Sequence, residues 1–332
     1  MPKKIHVVGL ILVMIAFIML VESSKSSLAE NAPIYYVRAF GNTHLVQPTA
    51  ITTDGLGNIY VLDSAHADGG DVIFGKINIH VFIPTGGFVR TLVSNYSSVA
   101  LDMEVTSTDI YLASAGPYAG ILRFNITTGA YISSFGNFSQ GITILNDSIF
   151  SLENPSATNY EIMQYSLAGN YTRTVASFNG NELEALEQAN EELITFNDSQ
   201  LSEISFLTQN GQIARSFGTS IGPDVKDLTV NGNNVYVSDN FNDLIHIYSM
   251  DGQAIASLPL PAPYGLIVVE DELYAVSQAN DEIVVFGNSG ESWPLSSAAR
   301  EQSSDSETPG FSFIFALAII GILALAYRRK SA

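Results

Sequence analysis

The chain of 332 residues is 46% hydrophobic and 14% charged, which supplies a large core and excludes wholesale disorder. Its 14 Lys and Arg against 33 Asp and Glu give a formal net charge of −19, so basic surface to neutralise phosphates is lacking and nucleic acid is not an expected partner. Cysteine is absent, which excludes disulfides, thiolate metal sites and cysteine nucleophiles.

The N-terminus reads Met1-Pro2-Lys3-Lys4, then an apolar run from Ile5 to Val21, then polar residues ending in the small-x-small site Ser27-Leu28-Ala29. That order is a secretory signal cleaved after Ala29, so 1–29 is a signal peptide. A retained membrane anchor is the alternative, but the run falls short of the roughly 20 residues a spanning helix needs.

Residues 35–290 form a sixfold repeat. An apolar pair, usually ending in an aromatic, recurs at Ile59-Tyr60, Ile110-Tyr111, Ile149-Phe150, Leu193-Ile194, Val235-Tyr236 and Leu273-Tyr274, at intervals of 51, 39, 44, 42 and 38 residues. These are blade-sized steps for a β-propeller of four-stranded sheets. Ahead of each pair stands an expected channel-lining strand: Thr49–Thr53, Ala100–Glu104, Ile142–Leu145, Glu184–Glu187, Lys226–Val230 and Leu266–Val269. After each pair come a third strand, a turn with Gly86, Gly129, Gly169, Gly211, Gly252 or Gly290, and a fourth strand. The stretch from Glu182 to Leu193 has the Leu, Glu and Ala composition of a helix, yet the repeat register makes it strand, turn, strand.

The sixth repeat lacks its fourth strand. The missing piece stands at the other end, where Val37-Arg38-Ala39-Phe40-Gly41 matches Ala214-Arg215-Ser216-Phe217-Gly218 position by position. The expected fold is therefore all-β: a six-bladed propeller closed by an N-terminal strand, which leaves no unpaired partner at the seam. The run from Pro48 through Thr53-Asp54-Gly55-Leu56-Gly57-Asn58 to Asp63, and Val235-Tyr236-Val237-Ser238-Asp239-Asn240, resemble NHL repeats, a family of six-bladed propellers. The resemblance is clear in blades 1 and 5 and degenerate elsewhere: Ser114, Glu153, Asn197 and Ser277 stand where Asp63 and Asp239 stand.

A polar linker, 291–307, leads to Thr308-Pro309-Gly310-Phe311, an apolar run to Tyr327, and Arg328-Arg329-Lys330. The plain reading of 308–332 is a C-terminal transmembrane anchor oriented by its basic end. The order Pro309-Gly310-Phe311, apolar helix, basic cluster resembles the PGF-CTERM sorting signal of archaeal surface proteins. That resemblance implies removal of the helix by an archaeosortase-like enzyme and attachment of the new end to a lipid. Residues 1–29 carry a net +2 and 308–332 a net +3, which leaves the middle at −24. So acidic an exterior favours solubility and attracts cations.

Chemistry-bearing groups are sparse. The five histidines, His6, His44, His66, His80 and His246, show no metal-ligand spacing, and His80 and His246 fall at the same place in different blades. Asp63, His66, Asp68, Asp71, Asp102, Asp227 and Asp239 lie near strand ends, where they form a cation site or simply cap loop amides. The Gly- and Asp-rich insertion Ala65–Lys76 and the segment Asp239–Asp243 follow equivalent strands and emerge on one face. The candidate ligand face is thus Asp63, His66, Asp68, Asp71, Asp239 and Asp243. Sequons stand at Asn95, Asn125, Asn137, Asn146, Asn170 and Asn197, assigned to blades 2 to 4. Glycans there leave blades 5, 6 and 1 as the open arc.

The expected function is a non-catalytic binding or structural module, an exported glycoprotein anchored at an archaeal cell surface and presenting its ring to an extracellular protein or glycan. The alternative is a propeller enzyme acting outside the cell, a lyase, lactonase or sugar dehydrogenase. No cofactor is specified by any motif.

Overall fold

The computed structural model describes residues 34–288 apart from 66–74, 116–119, 157–158, 180–182, 198–201 and 219–220. The signal peptide, the linker, the terminal segment and three candidate face residues, His66, Asp68 and Asp71, lie outside the described residues. Among those described, no helix is long and apolar enough to cross a membrane.

The described chain forms six four-stranded antiparallel sheets. It starts with β1 (Tyr35–Phe40). Blade 1 is β2 (Pro48–Thr53), β3 (Ile59–Ala65), β4 (Lys76–Phe82) and β5 (Phe88–Ser97). Blade 2 is β6 (Ala100–Val105), β7 (Asp109–Ser114), β8 (Gly120–Asn125) and β9 (Tyr131–Phe135). Blade 3 is β10 (Ser139–Leu145), β11 (Ser148–Ser156), β12 (Asn159–Ser166) and β13 (Tyr171–Asn179). Blade 4 is β14 (Leu183–Ala189), β15 (Glu192–Asn197), β16 (Glu203–Leu207) and β17 (Ile213–Gly218). Blade 5 is β18 (Val225–Asn231), β19 (Asn234–Asp239), β20 (Leu244–Ser249) and β21 (Ala254–Pro259). Blade 6 is β22 (Pro263–Val269), β23 (Glu272–Ser277) and β24 (Glu282–Gly287), completed by β1.

The first strand of each blade packs beside the first strand of the next, and β22 returns to β2, so the six enclose a central channel. The ring closes as the repeat match requires. β1 runs antiparallel to β24, with Tyr35 opposite Gly287 and Phe40 opposite Ile283. The helix-like composition of 182–193 yields to the register: β14, a turn at Asn190-Glu191, and β15. Leu183, Ala185, Leu186 and Ala189 are buried there between blades, so tertiary packing outweighs local propensity. Second strands such as β7 and β19 are buried along their whole length, because blade faces are covered on both sides.

Adjacent blades interlock through repeated parts. The turn between third and fourth strands places glycine at positive φ: Gly86 at 95°, Gly129 at 68°, Gly169 at 88°, Gly211 at 78° and Gly252 at 83°. Each also abuts the preceding blade's fourth strand. A Cβ on Gly211 would fall 1.9 Å from the Val175 carbonyl oxygen, and one on Gly169 would fall 2.5 Å from the Phe135 ring. Glycine is thus needed for backbone and for space. Arginines add a second tie: Arg38 donates to Pro84 O at 2.8 Å, Arg90 to Thr127 O at 3.0 Å, and Arg173 to Gln209 O, each reaching the next blade's turn.

One boundary moves. The repeat intervals place the sequons in blades 2 to 4, but β5 extends to Ser97 and carries Asn95, so that sequon belongs to blade 1. The outer strand bulges there, with Asn95 at φ 54°, which is why the repeat pattern does not extend to it.

Candidate functional site

The ring has two faces. The turn face carries the tight turns after the first and third strands of each blade. The loop face carries the connections between second and third strands and from blade to blade. Strands β3, at Ala65, and β19, at Asp239, both end on the loop face.

On that face one equivalent position near the end of the second strand holds the chain that enters the blade, in blades 1, 2, 3, 5 and 6. Asp63 accepts from the amides of Gln47 at 2.6 Å and Val46 at 3.2 Å. Glu153 accepts from the Asn137 amide and side chain, both at 3.0 Å, and from Tyr165 OH at 2.7 Å. Asp239 accepts from Gly222 N at 3.3 Å and from Asn242 N at 3.0 Å. Where the position is Ser, the bond reverses: Ser114 Oγ donates to Val99 O at 2.9 Å and Ser277 Oγ to Pro261 O at 2.8 Å. A carboxylate only accepts, so it takes amides, whereas a hydroxyl can donate to a carbonyl. Asp63 and Asp239 are about 1% and 0% exposed, so their oxygens face the loop backbone rather than solvent. Of the candidate face residues described, Asp243 alone is exposed, and its Oδ1 accepts from Ala262 N at 2.8 Å.

The two strand histidines join the same caps. His246 Nε2 lies 3.1 Å from Asp239 Oδ2 and its Nδ1 lies 3.0 Å from Ser257 Oγ. His80 Nε2 lies 3.5 Å from Asp63 Oδ2 and its Nδ1 lies 3.1 Å from Thr91 Oγ1. The order carboxylate, imidazole, hydroxyl thus recurs in blades 1 and 5; in blade 5 hydrogen bonds tie all three strands, and in blade 1 the hydrogen bond joins only His80 to Thr91. Among the described residues, no three His, Asp or Glu side chains stand close enough to hold a metal ion.

The channel is lined by acids. Asp102 accepts from its neighbour Met103 N at 2.7 Å and from Ile142 N of the next blade at 2.8 Å. Asp227 repeats this with Leu228 N at 2.8 Å and Leu266 N at 2.7 Å. The inner edge of each first strand has no further strand to pair with, and these carboxylates satisfy its amides. Glu104 and Glu187 accept from Thr52 at 3.3 Å and Thr143 at 3.2 Å. Burial drives all four carboxyls above the ordinary carboxylate range, and the mutual repulsion of Glu104, Glu187 and Asp227 with their acidic neighbours adds to it. At the loop-face mouth, Thr49, Leu101, Gln140, Glu184, Lys226 and Tyr264 line a pocket of about 230 Å³. Lys226 pairs with Asp224 and lies over the Tyr264 ring.

The turn face holds two larger pockets on either side of Leu56, which is 90% exposed. One, about 480 Å³, lies at the seam and includes Arg38, Glu272 and Tyr274. The other, about 580 Å³, lies between blades 1 and 2 and includes Asp54, Arg90, Val105 and Ser107. Sequence reasoning missed both, because each is built from turns of several strands in two blades. The signal for the channel acids was present: Asp102 and Asp227 share the third position of β6 and β18.

No protein-family profile matches the chain, and no curated protein matches it. Solved structures do resemble it in fold. The Pan2 WD40 domain of Neurospora crassa aligns with TM-score 0.51 at 6% identity, over 80% of this chain and 98% of that one. A catalytically inactive virginiamycin B lyase from Staphylococcus aureus, with quinupristin, aligns with TM-score 0.51 at 14% identity, over 75% and 98%. BamB from Moraxella catarrhalis gives TM-score 0.44 at 13% identity, over 77% and 98%. At such identities the likeness to the first two is one of fold: this chain is a β-propeller.

Proposed function

We propose that the chain is an exported, surface-anchored propeller that binds an extracellular ligand and performs no catalysis. One observation supports this above others. The groups best suited to chemistry on the loop face are parts of the scaffold: Asp63 and Asp239 are bonded to loop amides, His246 to Asp239 and Ser257, and His80 to Thr91. What stays open is surface: the pockets beside Leu56 and the mouth of the channel. Export rests on the apolar N-terminal run ending at Ala29, and anchoring on Pro309-Gly310-Phe311 with the apolar run and basic end that follow. An archaeosortase-like enzyme would then be the processing partner.

Intact-mass measurement of protein from its native cells tests the maturation, with a chain beginning near Glu30 and lacking the segment after Phe311 expected. Protease added to intact cells tests the display, with the ring digested while cytoplasmic proteins survive. A chain still ending in Ala332 overturns the sorting signal and leaves a plain anchor. Full protection from protease overturns surface display.

A further inference from the structure

We propose that the turn-face pocket between blades 1 and 2 is a saccharide-binding site, selective for a sugar bearing a carboxylate. The inference rests on the reading of the ring as a binding module and names its ligand class. The pocket's volume of about 580 Å³ lies within the usual span for small-molecule sites, about 300–1,000 Å³.

Its chemistry is mixed as a sugar requires. Sugar hydroxyls both donate and accept, while the C–H faces of the ring are apolar. The Asp54 carboxylate is used up within its own turn, accepting from Leu56 N and Asn58 N at 2.9 Å, Asn58 Nδ2 at 2.7 Å and Tyr60 OH at 3.1 Å, and so fixes the turn that presents Leu56. Ser107 and Thr127 bring hydroxyls to the lining. Leu56 and Val105 offer apolar surface for the ring face.

Arg90 sets the preference for an acid. Arg38, Arg123 and Arg215 are each paired with a carboxylate, whereas no ion pair engages Arg90 among the described residues. Its guanidinium is instead held by two carbonyls, Thr127 O at 3.0 Å and Ile126 O at 3.3 Å. An exposed cation fixed in place beside a pocket, in a chain of net charge −19, suits a planar carboxylate that it can meet with two parallel hydrogen bonds.

A second observation points the same way. The sequon Asn125-Ile126-Thr127 runs along the pocket, with Ile126 and Thr127 in its lining. Asn125 Oδ1 accepts from Thr127 N at 3.0 Å and Thr128 N at 2.9 Å, so its side chain is oriented, and among the described residues no hydrogen bond engages its amide nitrogen. The saccharide has two sources: a glycan on Asn125 itself, or a free extracellular chain.

The test uses the full chain made without glycosylation, titrated with a glucuronic-acid disaccharide and with its neutral glucose counterpart. The acid should bind at least about tenfold tighter, and Arg90→Gln should abolish that preference while Asp251→Asn, on an exposed turn of blade 5, leaves it intact. Three results overturn the proposal: no binding of either sugar at about 10 mM, a preference unchanged in Arg90→Gln, or tighter binding of a Glu-rich peptide. Native protein and its Asn125→Asp variant separate the sources. If the pocket holds its own glycan, only the variant binds the disaccharide; if the ligand is free, both do. A ring that binds its extracellular ligand normally as Arg90→Gln loses this pocket but keeps the wider reading. One that is never displayed loses the wider reading whatever the pocket binds.

Discussion

Asp227 Oδ2 accepts the amide of Leu266 at 2.7 Å, a bond that crosses from blade 5 to blade 6 at the channel wall. The same carboxylate is held at its other oxygen by Leu228 N. Replacing Asp227 with Ala leaves two amides without partners, a cost of about 1–3 kcal/mol. The loss should be larger at pH 5 than at pH 8, because at the higher pH the variant is also relieved of a buried charge repelled by its neighbours. Denaturant melts at the two pH values measure it, and an equal loss at both would argue against a strained carboxylate.

The whole ring should be most stable on the acid side of neutrality. Asp102, Glu104, Glu187, Asp227 and Glu153 all have carboxyls raised by burial, so the folded ring binds protons more tightly than the unfolded chain. Their contribution is complete below the ordinary carboxylate value of about 4 and is lost as pH climbs through their raised values. Asp109 and Glu272, lowered by their arginine partners against burial, and Asp54, lowered by hydrogen bonds against burial, act oppositely. Their contribution disappears on acidification below about pH 4. A stability maximum near about pH 5 is expected, and unfolding curves at pH 3, 5 and 8 decide it.

Gly211→Ala should cost about 2 kcal/mol or more, since φ 78° disfavours a Cβ and the Val175 carbonyl occupies its place. Gly218→Ala is the control. Nothing lies within 4 Å of its Cβ, and a change within about 0.5 kcal/mol is expected. Comparable effects at both positions would mean that the turn does not lock blade 3 to blade 4.

The closure was legible because the repeat match extends to partners. Arg38 pairs with Glu272 at 2.7 Å in blade 6, and Arg215 pairs with Glu192 at 2.7 Å in blade 4. Glu272-Leu273 and Glu192-Leu193 open equivalent strands, so the contact that blade 4 makes across 23 residues is made in blade 6 across 234. The capping role of Asp63 was also open to reading, as one of two choices. The bridge from Asp102 to Ile142 was not, since it depends on how neighbouring blades are spaced. Nor was the pocket at Arg90, whose walls come from turns far apart in sequence.

Deleting residues 35–41 should expose β24 and remove the Arg38 clamp on Glu272, Tyr274 and Pro84. Hydrogen exchange at 283–286 should then accelerate far more than in blade 3. Uniform exchange across the ring would count against a seam held by β1.

Peptide mapping of native protein should find glycans at Asn146 and Asn170, exposed at turns, and at exposed Asn95 and Asn137. Asn197, half-buried at the capping position of blade 4, should be unmodified. A heavily modified Asn197 would mean that the modification precedes folding of that blade.

The Arg38–Glu272 pair joins residues 234 positions apart, whereas the Arg90 and Arg173 ties span 37 and 36. Five of the six blades are built from continuous stretches of chain as it emerges, but the sixth needs the first strand and the last together. The segment 35–40 is therefore made earliest and finds its partner latest. A chain that has grown past Pro259 but not yet to Glu282 carries five formed blades and a β1 without its partner, the form most exposed to chaperones, proteases and pairing with another copy.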